Sequence, residues 1–257
     1  MNVAVLFRGG ISKTFGNYAL RGSIDQESDF INYKCAYNSF KKHILDTNLQ
    51  HDIDIFIHTW HPELKEELEN LYNPTKIIVE ENELYADEIS DKVKFCQTND
   101  NSYAVISQAL SMKKVSNMVK DYSNENKIKY DLIMIYRLDV LLVVDLLFND
   151  YNPFYITCNN WEDCMGEFHF VMNYQNMLEF CKVYDFFSPI LKPVCHTYYK
   201  NYVRNYLGRK YVQDGIRSGV FQECVRKGTS LISHNFIKPE DLLRYGTTYE
   251  ELLSYKH

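Results

Sequence analysis

The chain has 257 residues, 46% apolar and 24% charged, with a formal net charge of −6. That length supports one large domain with a substantial core, and the acidic balance excludes a protein that works by neutralising many nucleic-acid phosphates. No run approaches the ~20 apolar residues of a membrane span, and Val3 to Phe7 is too short, with no basic lead, for a signal peptide. The seven cysteines are scattered and form no C-x-x-C pair, so they are expected as reduced thiols filling the core of a cytoplasmic protein.

Asn2 to Phe7 is an apolar run that opens into Arg8-Gly9-Gly10. A strand running into a glycine turn is how a nucleotide-binding α/β domain begins, and Arg8 can meet a base, ribose or phosphate there. An ordinary turn is the plain alternative. The following Ile11-Ser12-Lys13-Thr14 fails as a P-loop, because Ser12 stands where that motif needs glycine. Residues 11 to 29 read as a polar loop near the site. Phe30, Tyr33, Tyr37, Phe40 and Ile44 recur at helical spacing and predict an amphipathic helix over Phe30 to Leu45.

Ile53 to Ile57 is a second strand, ending in His58-Thr59-Trp60, a stretch suited to stacking on or hydrogen bonding to a base. His58 and His61 lack a third partner nearby for a metal. Pro62 to Leu71 predicts a charged helix, Thr75 to Glu80 a third strand, and Glu80 to Asp91 a solvated acidic connection. Ser102 to Tyr122 is a long helix with an apolar face through Val105, Ala109, Met112, Val115 and Val119. Gln108, Ser111 and Lys113 lie on it within reach of a ligand, or merely face water.

The stretch around which the rest is arranged is Asp131 to Tyr136, aliphatic and β-branched, which then runs into Arg137-Leu138-Asp139. Residues two apart on an extended chain share a side, so Arg137 and Asp139 are expected to face one ligand together. A guanidinium recognises phosphate, and a carboxylate can hold a divalent cation shared with phosphates. An Arg–Asp ion pair closing off the strand is the competing reading. The alternation of strands and helices up to this point predicts a mainly parallel sheet with helices on both faces.

Beyond Asp145 the pattern changes. Phe154 to Cys158 and Phe168 to Met172 read as short strands, Asn159 to Glu167 as a polar acidic loop between them, and Tyr174 to Phe187 as a helix. Trp161 offers a flat apolar face to a sugar ring, and Glu162, Asp163 or Glu167 can deprotonate an acceptor hydroxyl; a solvated acidic turn is the alternative. Tyr198, Tyr202 and Tyr206, four apart, read as core or interface packing, with an acceptor groove or a peripheral membrane contact as the other choices. Asp214 is expected to cap a helix reaching Cys224, followed by a strand over Leu231 to Ile237 and a helix within Pro239 to Tyr255.

Four of these stretches, VAVLFRGG, DIFIHTW, SQALSMKKV and YDLIMIYRLDV, occur in the order found in a known family. Over roughly residues 2 to 175 the chain resembles small GT-A-fold glycosyltransferases of polysaccharide and surface-glycan synthesis from bacteria and large DNA viruses. The resemblance implies an α/β fold with a mainly parallel central sheet. It implies a single domain, with a nucleotide-sugar half over about 1–145 and an acceptor half over about 146–257. A UDP- or GDP-type sugar donor would be held by Phe7, Arg8, Gly9, Gly10, His58, Thr59, Trp60, Gln108 and Arg137. Asp139 would hold Mn2+ or Mg2+ in place of the family's D-x-D motif. The first acid of that motif is Arg137 here, so the guanidinium itself is the other means of neutralising the leaving group. Asp163, with Glu162 or Glu167 as substitutes, would be the base of an inverting displacement onto a glycan hydroxyl. Two other classes stay open. One is a nucleotide-dependent phosphotransferase or hydrolase using the glycine turn; the other is a non-catalytic module binding a glycan or partner through the aromatic, basic last third.

Overall fold

The runs at Val3–Phe7 and Leu132–Tyr136 have no polar side to turn towards water, so both need cover on two faces. The computed structural model describes residues 1–11, 32–98, 102–161, 164–194, 197–217, 222–224, 238–248 and 250–251, with the backbone alone at 161, 217 and 222–224. It gives that cover with a seven-stranded sheet. The strands are β1 (Asn2–Arg8), β2 (Asp52–Thr59), β3 (Lys76–Val79), β4 (Leu132–Arg137), β6 (Ile156–Trp161), β7 (Cys164–Met172) and β8 (Tyr211–Arg217). Their order is β3-β2-β1-β4-β7-β6-β8. Neighbours from β3 to β4 pair in parallel, as do β6 and β8; β7 alone is reversed, pairing antiparallel with β4 and with β6. The short β5 (Val140–Leu142) leaves the sheet and pairs antiparallel with β9 (Gln222–Cys224). This is the α/β class with a mainly parallel central sheet flanked by helices that the sequence implies.

Alternation along each strand divides the core in two. Val3, Val5 and Phe7 pack with α1 (Tyr33–Phe40), α2 (Lys65–Tyr72) and the 3₁₀ turn Pro239–Tyr245. Ala4 and Leu6 face the opposite layer, built from α3 (Ala86–Phe95), α4 (Ser102–Asn126), α5 (Tyr174–Phe180), α6 (Val183–Phe186) and α7 (Thr197–Asn201). Local signals set several boundaries. The Asn32 side chain accepts from the Cys35 amide to cap α1, Asn173 does the same for α5 through Asn176, and α2 ends on Asn73 in the left-handed region (φ 44°).

Several expected elements differ. The helix begun at Tyr33 changes after Phe40 into a wider π-helical turn over Lys41–Leu45. The acidic stretch from Glu80 is not a plain connection: it holds a 3₁₀ turn and then α3, which buries Ile89 and Val93 four residues apart. Asn159 to Trp161 and Cys164 to Glu167 belong to β6 and β7 and form no loop. Asp214 caps no helix; it lies within β8. Tyr198 and Tyr202 are fully buried, so two tyrosines of the stripe are core, while Tyr206 is exposed. The expected loop at 12 to 29, Glu162, Asp163 and the strand over Leu231 to Ile237 lie outside the described residues. Among the described residues, no helix is long and apolar enough to cross a membrane.

Candidate functional site

Because β1, β2 and β4 run in parallel and in register, Arg8, His58 and Arg137 finish at one edge of the sheet, side by side. The carboxyl edge of such strands is where α/β proteins place ligands. Reversal of β7 brings its early residues to the same edge: His169 pairs with Tyr136, which sets Glu167 beside Arg137. Arg8, Arg137 and Glu167, from three distant stretches of sequence, therefore converge.

Their contacts are unequal. Arg137 grips Asp139 with two bonds, Nε to Oδ1 at 2.8 Å and Nη2 to Oδ2 at 2.7 Å, and its Nη1 lies 3.6 Å from Glu167 Oε1. Its guanidinium also sits over the Phe168 ring, 5.4 Å from the centroid. Arg8 is only 1% exposed, yet among the described residues it makes a single hydrogen bond, from Nη2 to the Glu167 carbonyl oxygen at 2.6 Å. Arg8 Nε and Nη1 are buried and meet no acceptor among the described residues. Burying a cation that no carboxylate holds is costly, so Arg8 is the group at this edge with most to gain from an incoming anion.

The turn beyond β1 is held from α4. Gly9 adopts φ +97°, a conformation that favours glycine, and its N–H donates to Ser111 Oγ at 3.0 Å. Ser111 Oγ lies 2.7 Å from His58 Nδ1, and His58 Nε2 lies 3.0 Å from Glu80 Oε2. Glu80 also takes Lys114 Nζ at 2.7 Å and the Tyr85 hydroxyl at 2.7 Å. Burial pushes the His58 pKa below its ordinary value, against the pull of Glu80. The bond from His58 leads the causes that hold the Glu80 carboxyl down at about 2, with Lys114 and Tyr85 adding to it against the effect of burial.

A second buried polar group lies on the reversed strand. His169 Nε2 is 2.6 Å from Asp214 Oδ2; the Tyr151 hydroxyl donates to that oxygen at 3.0 Å and the Ile216 amide to Oδ1 at 2.9 Å. Burial first, and then Asp214, pushes the Tyr151 hydroxyl far above its ordinary pKa. Nothing in the spacing of these residues announces the cluster: the sequence offers Asp214 only as a helix cap, and it singles out neither Glu80 nor Asn159 for a polar partner.

Of the residues expected at a donor, Arg8, Gly9 and Arg137 stand at the edge with Glu167, and Gly10 follows Gly9. The Phe7 ring turns away into the core, 4.9 Å from Phe40 and 4.8 Å from Tyr72. Trp60 is also core, edge-on to His58 at 4.5 Å, and so is not placed to stack on a base. His58 and Thr59 are fully buried. Gln108 is half-buried one turn before Ser111, its Oε1 without a hydrogen bond. Asp139, expected at a cation, has both oxygens on Arg137 and is 2% exposed, the ion-pair arrangement that the sequence left open.

The pKa directions set a pH dependence. The unfolded chain protonates His58 and His43 at the ordinary 6.5, while the folded protein resists because burial lowers both. Stability is therefore full above that pH and falls as pH drops through it towards the lower folded values. A second loss, from Glu80, begins near 4.5 and continues towards about 2. Urea unfolding at stepped pH is expected to show both stages, the upper one reduced in His58→Gln to the share of His43; a flat profile from neutrality to pH 4.5 would contradict it.

Neither a scan against protein-family models nor a search of curated proteins returns a match. Among solved structures, the chain is similar to a protein of Desulfovibrio desulfuricans G20 provisionally assigned as a nucleotide-diphospho-sugar transferase, at 14% identity over 99% of each chain with a TM-score of 0.47. It is similar to a cytidylyltransferase of Leptospira borgpetersenii serovar Hardjo-bovis at 11% identity, over 99% of this chain and 93% of that one, with a TM-score of 0.44. Mouse xyloside xylosyltransferase 1 is 10% identical over 83% of this chain and 78% of its own, with a TM-score of 0.38. Likenesses this remote fix no activity.

Proposed function

We propose that the chain is a glycosyltransferase that takes a sugar from a UDP- or GDP-type donor and adds it to a glycan hydroxyl with inversion. The observation that carries this reading is the pair of guanidinium groups in register at the ends of β1 and β4, one held by carboxylates and one, Arg8, by none among the described residues. A multiply charged anion such as a diphosphate supplies what the second arginine lacks. Glu167 lies between the two and is the base: as the acceptor oxygen attacks the anomeric carbon, its proton passes to the Glu167 carboxylate. The bond from that carbon to the donor phosphate breaks, its electron pair goes to the phosphate oxygen, and Arg8 and Arg137 stabilise the charge that develops there. Glu162 and Asp163 remain alternative bases outside the described residues.

A resident Mn2+ or Mg2+ does not suit the groups present. Both Asp139 oxygens are taken by a bidentate guanidinium, and no group of three potential ligands occurs among the described residues. Of the two routes for the leaving group, the arginine one is favoured. The module alternative loses part of its proposed surface, because Tyr198 and Tyr202 are core while Tyr206 is exposed.

Thermal shift with UDP, GDP and ATP tests the reading. Stabilisation by UDP or GDP is expected, about 2.7 kcal/mol at a ligand concentration of ~100 times Kd, and it is expected to persist in EDTA. A response to ATP alone would favour phosphoryl transfer. A response that needs added Mn2+ would restore Asp139 as a cation ligand.

A further inference from the structure

We infer that Ser111 and His58 are positioning residues for the donor diphosphate: they fix the Gly9 peptide beside Arg8, and protonation of His58 undoes the hold. This rests on the reading of that edge as a nucleotide-diphosphate site.

Proton counting along the chain of bonds gives it a direction. The Gly9 N–H can only donate, so Ser111 Oγ accepts from it at 3.0 Å. Ser111 Oγ has a second lone pair, so its link to His58 Nδ1 at 2.7 Å is directed from the other end: Glu80, a carboxylate, can only accept, which in a neutral ring leaves Nδ1 bare to take the Ser111 proton. The ring proton therefore sits on Nε2 and is donated to Glu80 Oε2 at 3.0 Å. Glu80 is ready as acceptor because Lys114 and Tyr85 hold its carboxylate from outside. Every link agrees with a neutral His58 in one tautomer.

Adding a proton to Nδ1 breaks that agreement. The ring then points a donor at Ser111 Oγ, which already accepts from Gly9, and the Ser111 proton loses its acceptor. Ser111 Oγ then takes two donors, one of them charged, and must turn its own proton to another acceptor, so the peptide adjoining Arg8 loses its fixed hold. The charged and titratable groups facing His58 are Glu80 and Lys114, the Tyr85 hydroxyl bonded to both, and Arg8, its register partner on β1. Burial and Lys114 oppose the added proton; Glu80 favours it.

The sequence reading expected His58 to touch a base; here it works one residue removed, through a serine from another helix. Two replacements separate this role from mere packing. His58→Asn keeps an acceptor near the Nδ1 position and gives up Glu80, whereas His58→Gln keeps a donor near Nε2 and gives up Ser111. Gly9 amide hydrogen exchange and the affinity for UDP and GDP are measured in wild type, Ser111→Ala and both His58 variants. Loss of one such bond is expected to speed Gly9 exchange and weaken nucleotide binding by about tenfold in Ser111→Ala and His58→Gln, with His58→Asn close to wild type. Wild-type affinity is expected to fall on acidification below neutrality, and Ser111→Ala to lack that dependence. Equal losses in the two His58 variants, or Gly9 exchange unmoved in Ser111→Ala, would overturn the inference. If wild type binds neither UDP nor GDP, the diphosphate reading falls by itself, and the Gly9 exchange data still decide whether the strut exists.

Discussion

Arg8→Met is expected to bind a nucleoside diphosphate roughly 100-fold more weakly than wild type, or worse, while unfolding at the same or a higher temperature. The binding loss follows from two guanidinium N–H groups, Nε and Nη1, that meet no protein acceptor. Charge-assisted bonds of this kind contribute about 1.5–3 kcal/mol each. The stability result follows from the same fact read from the other side. A buried cation whose only bond among the described residues is to the Glu167 carbonyl costs desolvation that little repays, and a flexible apolar side chain of similar reach removes that cost. Calorimetric titration with UDP and GDP, alongside thermal unfolding, decides the matter. A variant that loses stability and keeps its affinity would make Arg8 a structural strut and remove it from the site.

The second large effect is expected at Gly166, one residue before the proposed base. A Cβ there would lie 2.2 Å from Asn159 Nδ2 and 2.4 Å from the Asn159 carbonyl oxygen. Asn159 has little freedom to move: it is buried at the irregularity where β6 and β7 shift register, and its Oδ1 accepts from the Phe168 amide at 3.0 Å. Gly166→Ala is therefore expected to cost about 1–3 kcal/mol, and more if the two strands cannot part. Because the strain falls on the residue before Glu167, turnover is expected to drop further than the loss of folded protein explains. An unfolding midpoint equal to wild type in urea would show that the strands part freely.

How far the fold could be read from sequence depended on what each segment buries. Val3–Phe7 and Leu132–Tyr136 were legible because a strand covered on both faces must be apolar throughout. β8 was not, since Gln213 and Asp214 satisfy their polar atoms within the fold, Gln213 on the Cys164 carbonyl and Asp214 on His169 and Tyr151. Asn159 and Asn160 read as loop residues for a similar reason: an asparagine that fills a strand irregularity owes its place to partners several residues away. The acid count of Glu80 to Asp91 hid the spacing of Ile89 and Val93 that defines α3. At the proposed site, charge at a strand end pointed to Arg8 and Arg137, but sequence could not tell which would be partnered. Neither could it say that the Phe7 and Trp60 rings point into the core, because a strand end presents both faces and only the packed helices choose between them.

The thiols have a practical corollary. Cys35, Cys158 and Cys181 are buried, and burial pushes each of them up to about 12, so they hold little reactive thiolate near neutral pH. Cys164 is the half-buried exception among the described cysteines, and it opens β7 three residues before Glu167. A maleimide dye attached there would sit close to the place where donor and acceptor are proposed to meet, turning the arrival of either into an optical signal.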